Sequence, residues 1–194
     1  MRLFIAIELS EPVRRHLDSL VTALELSGEG GELPTVSWIK RENWHITLKF
    51  LGEVEENRVS ELSRAFSQVA VEPIRLSVDR MVYFPKRGPV RVIAAGLGED
   101  VGRLSQLQRS IEIISEQIGF PSEDREYTPH VTFGRSRTGE RGNDWISLRN
   151  TRLESKFPGP AFIAESFALM RSELASTGSK YEVLQRFMPD PNIS

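Results

Sequence analysis

The chain has 194 residues, of which 39% are hydrophobic and 27% are charged, and its formal net charge is −2. This length and composition are typical of a globular protein with one substantial core or two small lobes. The small negative charge argues against a protein that holds long nucleic acid by bulk electrostatics, and the absence of cysteine excludes a disulfide framework, a thiolate nucleophile and a zinc site built on sulfur.

The N-terminal residues predict a strand followed by a helix. Residues 2–9 (RLFIAIEL) are typical of a buried strand. Their apolar run is too short for a signal peptide, and Glu8 interrupts it. Ser10 is a favourable N-cap, and apolar residues from Val13 to Leu24 recur at helical spacing. Since no segment approaches the roughly 20 apolar residues that a bilayer span needs, we expect a cytoplasmic protein.

Strands and helices recur along the rest of the chain. Further strands are predicted over residues 36–39, 44–51, 74–84, 90–97, 130–134, 161–170 and 181–187. Helices are predicted after Gly52 and from Val101 to Ile118, whereas residues 27–34 and 135–144 have the composition of loops. No convincing linker divides the chain. We therefore expect an α+β fold in one domain over residues 1–194.

The most informative segment is the strand at residues 44–51, WHITLKFL. With a strand's period of two, its side chains at Trp44, Ile46, Leu48 and Phe50 lie on one face. The side chains of His45, Thr47 and Lys49 lie on the other. This strand therefore presents an imidazole and a hydroxyl, two residues apart, to the same space.

The same arrangement recurs at residues 130–134, HVTFG, where His130 and Thr132 share a face. Two of the three histidines in the chain belong to these two segments. A duplicated, roughly two-fold arrangement of lobes would bring them together. The alternative is that both are ordinary strand histidines at a wet surface, but the repetition of the whole pattern argues against it.

Two imidazoles in one cleft can perform a one-step displacement at phosphorus. Histidine titrates near neutrality, so one ring can accept a proton from the attacking oxygen while the other donates one to the leaving oxygen. The hydroxyls of Thr47 and Thr132 could hold the non-bridging oxygens. This chemistry requires no metal. The residues alone do not decide which histidine is the acid.

The two segments resemble the paired motifs of a known superfamily. Residues 44–53 (WHITLKFLGE) and 128–135 (TPHVTFGR) are similar to the motifs of the two-histidine phosphoesterases. Within them, the similarity is to the prokaryotic RNA 2′,3′-cyclic phosphodiesterases, historically called RNA 2′-5′ ligases. Residues 2–7, 167–172 and 178–187 extend the resemblance over essentially the whole chain.

The resemblance implies a bilobal, pseudo-two-fold arrangement of antiparallel sheets, with helices outside and a central groove. It implies a hydrolase that opens a terminal 2′,3′-cyclic phosphate of RNA to a 2′-phosphomonoester, with His45 as proton donor and His130 as proton acceptor. It implies no metal and no cofactor. The expected partner is RNA with a cyclic phosphate end, tRNA fragments being candidates, and we expect a monomer with no membrane partner.

The resemblance also places Arg135 at a basic position that contacts phosphate. A regular strand would turn Arg135 away from His130, so a bulge or the end of the strand is expected at Gly134. One position departs from the family: Ala94 replaces a frequent tryptophan. Stacking of a base could then fall to Phe84 or Tyr127, for which packing in the core is the alternative.

Two other functions remain open from the sequence. The same site run backwards would be a ligase that joins a cyclic phosphate end to a 5′-hydroxyl. A module that binds nucleotide or RNA without turnover is the second, although the presence of both histidines and both threonines argues against it.

Overall fold

A computed structural model describes residues 1–27, 36–87, 90–136, 157–175 and 178–189. The strands in these residues are β1 (Arg2–Glu8), β2 (Val36–Trp38), β3 (His45–Glu53), β4 (Ile74–Phe84), β5 (Val92–Glu99), β6 (His130–Ser136), β7 (Ala161–Ala164), β8 (Phe167–Ala175) and β9 (Gly178–Phe187). The α-helices are α1 (Glu11–Ser27), α2 (Val59–Phe66) and α3 (Val101–Gln117), with 3₁₀ turns at Arg41–Asn43 and Glu56–Arg58.

Most of the predicted elements are confirmed. The strand predicted over residues 161–170 is wrong, because the chain forms two strands there, β7 and β8, that lie in different halves of the sheet. Most of the predicted loop at 27–34, and the polar stretch from residue 137, lie outside the described residues. No helix in the described ranges is long and apolar enough to cross a membrane.

The strands form an antiparallel sheet in the order β7-β4-β5-β6-β3-β1-β8-β9, and β2 pairs beside β6. The order is symmetric about its centre: β6 corresponds to β3, β5 to β1, β4 to β8 and β7 to β9. A long helix follows both β1 and β5. We call β3-β1-β8-β9 the first lobe and β7-β4-β5-β6 the second. The expected bilobal α+β fold with pseudo-two-fold symmetry is thus confirmed.

In the sheet, the strands of the two lobes pair at one position, between Ile46 of β3 and Val131 of β6. Beyond this pair, residues 134–136 of β6 pair with β2 and not with β3. The strands β3 and β6 therefore diverge on either side of the pair. This divergence opens a groove between the lobes.

Alternation along β1 explains why one face of the sheet is covered and the other is not. Leu3, Ile5 and Ile7 are buried in the main core beneath the helices, where each side chain contributes about 1.5–3 kcal/mol of burial free energy. Phe4 and Ala6 point the other way into a small separate cluster. That second face borders the groove.

A β-bulge in β3 reverses the facing that the sequence predicts for its second half. Ala6 pairs with Thr47 and Ile5 pairs with Lys49, so Leu48 has no partner on β1. The predicted faces hold as far as Leu48 and are wrong for the next two residues. The side chain of Lys49 is 1% exposed, whereas that of Phe50 is 57% exposed at the groove.

The second histidine strand contains a bulge at the corresponding position, three residues after its histidine. Ala94 pairs with Thr132 and Ile93 pairs with Gly134, so Phe133 is left without a partner on β5. This is where a bulge was expected from the sequence. It lets Arg135 return to the groove face.

Gly134 is required at this bulge because an aromatic ring lies against its backbone. A Cβ atom at Gly134 would lie 2.9 Å from the ring of Trp38, closer than side-chain contacts allow. Trp38 stacks on Phe133, with ring centroids 6.4 Å apart, and the Ile39 backbone N–H donates to the Phe133 carbonyl. The absence of a side chain therefore allows β2 to close over the bulge.

Candidate active site

The five site residues predicted from the sequence all line one groove of about 820 Å³ between the lobes: His45, Thr47, His130, Thr132 and Arg135. Their side chains come from the two strands that diverge at the centre of the sheet. The two histidines and two threonines of the repeated motif therefore face the same groove, as the sequence predicts. Each lobe contributes one imidazole and one hydroxyl.

The register at the junction of the lobes arranges these four side chains around the centre of the groove. Because Ile46 pairs with Val131, antiparallel geometry sets His45 across from Thr132 and Thr47 across from His130. The histidines then lie on one diagonal and the threonines on the other. The two imidazoles thus lie on opposite sides of the Ile46–Val131 pair and line the same groove.

Both imidazoles are held by the same kind of hydrogen bond. Nδ1 of His45 is 2.7 Å from the carbonyl oxygen of Asn43, and Nδ1 of His130 is 2.6 Å from that of Thr128. A carbonyl oxygen can only accept, so Nδ1 carries the hydrogen in each ring. In the neutral ring Nε2 is then the unprotonated nitrogen, ready to accept a proton.

The carbonyl that holds His45 belongs to a 3₁₀ turn that is itself fastened at several points. Asn43 is buried, and its side-chain amide donates to the carbonyl oxygen of Ser179 on β9 over 2.6 Å. The guanidinium of Arg14 donates to the carbonyl oxygen of Arg41 over 2.5 Å. These bonds orient the His45 ring from both β9 and α1.

Aromatic rings pack against both imidazoles. The rings of Phe4 and Tyr181 lie 4.9 and 5.2 Å from that of His45, measured between centroids. The ring of Phe84 lies 4.7 Å from that of His130. Phe84 also lines the groove. Its ring, which the sequence suggested for base stacking, therefore has one side in contact with the ring of His130.

The surroundings disfavour a positive charge on either imidazole. Burial lowers the pKa of His45 to about 4, with further lowering by the charges of Arg14, His130 and Arg135. Burial, and then the charge of Arg135, also lower the pKa of His130 from its ordinary value of 6.5. Hydrogen bonds to the backbone oppose these shifts in both cases. Both rings are therefore neutral at pH 7 in the free protein.

Arg135 reaches the groove because of the bulge before it. Its side chain is exposed, and it forms no ion pair with a carboxylate among the described residues. Its charge acts on the pKa of both histidines. An uncompensated guanidinium beside two imidazoles is suited to bind a phosphate anion.

A buried ion pair, which the sequence does not reveal, fastens the loop before the second motif. Nζ of Lys49 lies 2.6 Å from Oε2 of Glu112 on α3 and 2.6 Å from the carbonyl oxygen of Pro121. Gln108 donates to the other oxygen of Glu112 over 3.0 Å and contacts the Leu48 carbonyl at 3.4 Å. The bulge of β3 thus serves as the docking point for this loop.

Tyr127 connects the same loop to the first motif. Its hydroxyl donates to the carbonyl oxygen of Thr47 over 3.2 Å, and burial raises the pKa of this hydroxyl. The sequence suggested Tyr127 as a stacking or core residue. The structure confirms that it packs against the core, and its hydroxyl also bridges the two motifs, three residues before His130.

The residue five positions after each histidine lines the groove, although a strict period of two predicts that it faces the other way. The sequence predicts a bulge or the end of the strand before Arg135, which lies five residues after His130. Applied to His45, the same offset identifies Phe50, which lines the groove on the opposite lobe. The two motifs therefore place a guanidinium and an aromatic ring at equivalent positions.

No group of three or more histidine, aspartate or glutamate side chains in the described ranges is arranged to hold a metal ion. Glu112, one of the carboxylates that line the groove, is bonded to Lys49 and Gln108.

Comparisons with known proteins agree with this geometry. The chain matches the family model for LigT-like phosphoesterases over residues 7–94 and 97–181. It is 31% identical over 187 residues to an RNA 2′,3′-cyclic phosphodiesterase of Archaeoglobus fulgidus, covering 96% of this chain and 99% of that one. It is 30% identical over 189 residues to a protein of the same name from Methanothermobacter thermautotrophicus, with 96% and 98% coverage.

Solved structures share the fold. The crystal structure of Thermus thermophilus TT0787 superposes with a TM-score of 0.73 at 27% identity, covering 97% of both chains. That of E. coli LigT complexed with 3′-AMP superposes with a TM-score of 0.72 at 22% identity, again covering 97% of both chains.

Proposed function

This chain belongs to the LigT-like phosphoesterases, and from that premise we propose that it hydrolyses the terminal 2′,3′-cyclic phosphate of RNA to a 2′-phosphomonoester. The curated relatives that it resembles over nearly their whole length carry the name of this activity. The observation that carries the proposal is the register at the centre of the sheet. It brings two His-x-Thr pairs from separate lobes to one groove around a single residue pair.

In the proposed reaction a water oxygen attacks phosphorus as the bond from phosphorus to the 3′ oxygen breaks. Nε2 of His130 accepts the proton that the water loses, and Nε2 of His45 donates a proton to the departing 3′ oxygen. The anchored Nδ1 atoms support this assignment of Nε2. The product keeps its phosphate on the 2′ oxygen, and the 3′ oxygen becomes a hydroxyl.

His45 must gain a proton before it can donate one. In the free protein its pKa is lowered to about 4, chiefly by burial, so the ring is neutral at pH 7. The negative charge of a bound phosphodiester beside Nε2 favours the protonated ring and raises this pKa. Substrate binding therefore supplies the charge that the donor needs.

The charged oxygens of the phosphate are held by neutral hydroxyls and one cation. We assign the hydroxyls of Thr47 and Thr132 and the guanidinium of Arg135 to the non-bridging oxygens. These groups also stabilise the charge that builds up on those oxygens in the transition state. On the first lobe, the exposed ring of Phe50 offers an apolar surface for the terminal nucleoside.

The proposed substrate is an RNA with a 2′,3′-cyclic phosphate end, with tRNA fragments among the candidates. We propose that the two lobes act as one domain over residues 1–194 and that the protein works as a monomer in the cytoplasm, without a cofactor or a metal.

The test is end-group analysis of a labelled RNA oligomer that carries a 2′,3′-cyclic phosphate, incubated with the protein and a chelator. We expect a 2′-phosphate product. Replacement of either catalytic histidine, His45→Ala or His130→Ala, is expected to lower kcat by about 10²–10⁴, because each removes one proton-transfer group.

The matched control is His16→Gln, because His16 lies on α1 and does not line the groove. Its rate should stay close to that of the wild type. A rate that is unchanged in both His45→Ala and His130→Ala would refute the assignment. Binding of the oligomer without conversion would indicate a binding module. Formation of a 2′-5′ linkage to an added 5′-hydroxyl RNA would indicate the ligase direction.

A further inference from the structure

The wall of the groove on the first lobe continues well beyond the histidines. Alternation along β1 brings Arg2, Phe4 and Ala6 to the groove face. Ala6 pairs with Thr47 at one end of this row, and Phe4 pairs with Phe50 in the middle. The row ends at Arg2.

Arg2 stands too far from the catalytic centre to bind the terminal phosphate. It lies four residues from Ala6, which is about 13 Å along an antiparallel strand. A phosphate between Thr47 and the histidines cannot also contact a guanidinium at the other end of the row. Any anion bound by Arg2 must therefore belong to another part of the ligand.

The guanidinium of Arg2 is available for such an anion. The side chain is exposed, and no described carboxylate forms an ion pair with it. Glu53, its cross-strand neighbour on β3, instead lies 3.7 Å from the N-terminal ammonium of Met1. On the other side, Arg2 is paired in register with Ser172 of β8, whose hydroxyl also lines the groove.

The arginines that line the groove form no ion pair with a described carboxylate, a property that they share with some described arginines elsewhere, such as Arg64 and Arg109. The arginines that form ion pairs in the described ranges lie outside the groove. The three that line it, Arg2, Arg125 and Arg135, have no such partner there. An uncompensated cation at the wall of an anion-binding groove favours a second contact with the same polyanion.

The opposite wall is less suited to a nucleic acid strand. There Arg125 is flanked along the chain by Glu123 and Glu126, which both line the groove. Their negative charges repel phosphate. A strand that leaves the catalytic centre is therefore favoured to cross the first lobe.

We propose that Arg2, together with the hydroxyl of Ser172, binds an internucleotide phosphate of the RNA upstream of the cyclic end. This subsite rests on the function proposed above and extends it. It makes the protein an enzyme of RNA ends rather than of free cyclic nucleotides. The strand would run from the histidines past Phe50 to the start of β1.

The experiment compares the kcat/KM of an RNA oligomer with a cyclic phosphate end with that of 2′,3′-cyclic AMP, which has no upstream phosphate. We expect Arg2→Gln to lower the ratio of the two values about five-fold, through the KM of the oligomer. The dependence of log KM on log salt concentration should become less steep by about 0.7, the value for one phosphate contact on a single strand. Arg2→Lys should retain part of the ratio.

The matched control is Arg171→Gln. Arg171 is next to Ser172 on β8, but it is paired with Glu182, 2.5 Å away, and does not line the groove. It should leave the ratio at the wild-type value. An Arg2→Gln ratio equal to that of the wild type, or a ratio lowered equally by Arg171→Gln, would overturn the subsite.

Fluorescence anisotropy with an oligomer that ends in a 2′-phosphate separates this inference from the proposed function. If the wild type turns over neither substrate, the proposed function fails, and the titration still decides the subsite. Weaker and less salt-dependent binding to Arg2→Gln than to Arg171→Gln supports the contact. Equal binding to the two variants refutes it.

Discussion

The two histidines occupy equivalent positions but do not have equivalent surroundings. His45 has the guanidinium of Arg14 behind it, and Arg135 and His130 act on it from the groove. Among the described residues, the charge that lowers the pKa of His130 is that of Arg135. The pseudo-symmetric site is therefore electrostatically asymmetric, as two different roles in proton transfer require.

This asymmetry predicts an acidic optimum for kcat/KM. In the proposed mechanism the productive free enzyme has His45 protonated, with a pKa lowered to about 4, and His130 neutral, with a pKa below 6.5. The pH profile of kcat/KM should therefore be bell-shaped, with its maximum between about 4 and 6.5. The maximum of kcat should lie at higher pH, because bound phosphate raises both pKa values. Steady-state rates on a cyclic-phosphate oligomer across this range are the measurement.

The variant Arg135→Gln provides the control for this profile. It removes a charge that lowers both pKa values, so the maximum of kcat/KM should move to higher pH while the rate falls. A maximum above pH 7 that the variant does not move would contradict this account of the acid and the base.

At the scale of elements, the bulges of β3 and β6 determine which residues reach the groove. Each adds one residue, three positions after the histidine, and shifts the facing of the residues that follow, in β3 until a second irregularity at Leu51. In β6 the shift brings the guanidinium of Arg135 to the groove. In β3 it exposes Phe50 and buries Lys49. A buried lysine requires partners, and α3 and the loop after it supply them.

We predict that this buried ion pair contributes strongly to stability. The change Lys49→Met leaves Glu112 without its partner, and the Pro121 carbonyl loses its hydrogen bond. The free energy of unfolding should fall by about 3 kcal/mol, because an uncompensated charge remains at a largely buried site. Urea denaturation near neutral pH measures the change.

An exposed ion pair on the same helix serves as the control. Arg103→Gln breaks the pair with Glu72 at the surface and should cost less than about 1 kcal/mol. The double variant Lys49→Met with Glu112→Leu should recover part of the loss, since it removes both charges. A Lys49→Met protein as stable as Arg103→Gln would show that the pair contributes little.

At the scale of the whole molecule, two lobes with a symmetric strand order pair their strands at one residue pair and enclose the site between them. The site therefore depends on the relative placement of the lobes. The hydrogen bonds of Tyr127 to the Thr47 carbonyl and of Lys49 to the Pro121 carbonyl cross between the lobes and maintain this placement.

The whole fold should lose stability in acid, because its native state keeps both histidines neutral. Their pKa values in the folded protein lie below the ordinary value of 6.5, so the unfolded chain binds more protons between pH 6.5 and about 4. The contribution is present above pH 6.5 and is lost as the pH falls towards 4. Urea denaturation at a series of pH values from about 7 to 5 tests this expectation.

The variant His45→Gln separates this effect from that of the carboxylates. It removes the titrating group, so its free energy of unfolding should fall less over the same pH range than that of the wild type. An equal fall in both proteins would show that the imidazole of His45 titrates alike in the folded and unfolded states.

By itself, the sequence determined the elements, the duplication and the four central side chains. Periodicity and turn residues act over a few positions, and His45, Thr47, His130 and Thr132 precede the irregularities in their strands. Only the tertiary structure decided the facing of Lys49 and Phe50, the division of residues 161–170 into β7 and β8, and the bridge from Tyr127. The reason is physical: register, bulges and contacts between distant segments depend on which strand lies alongside, and local spacing does not contain that information.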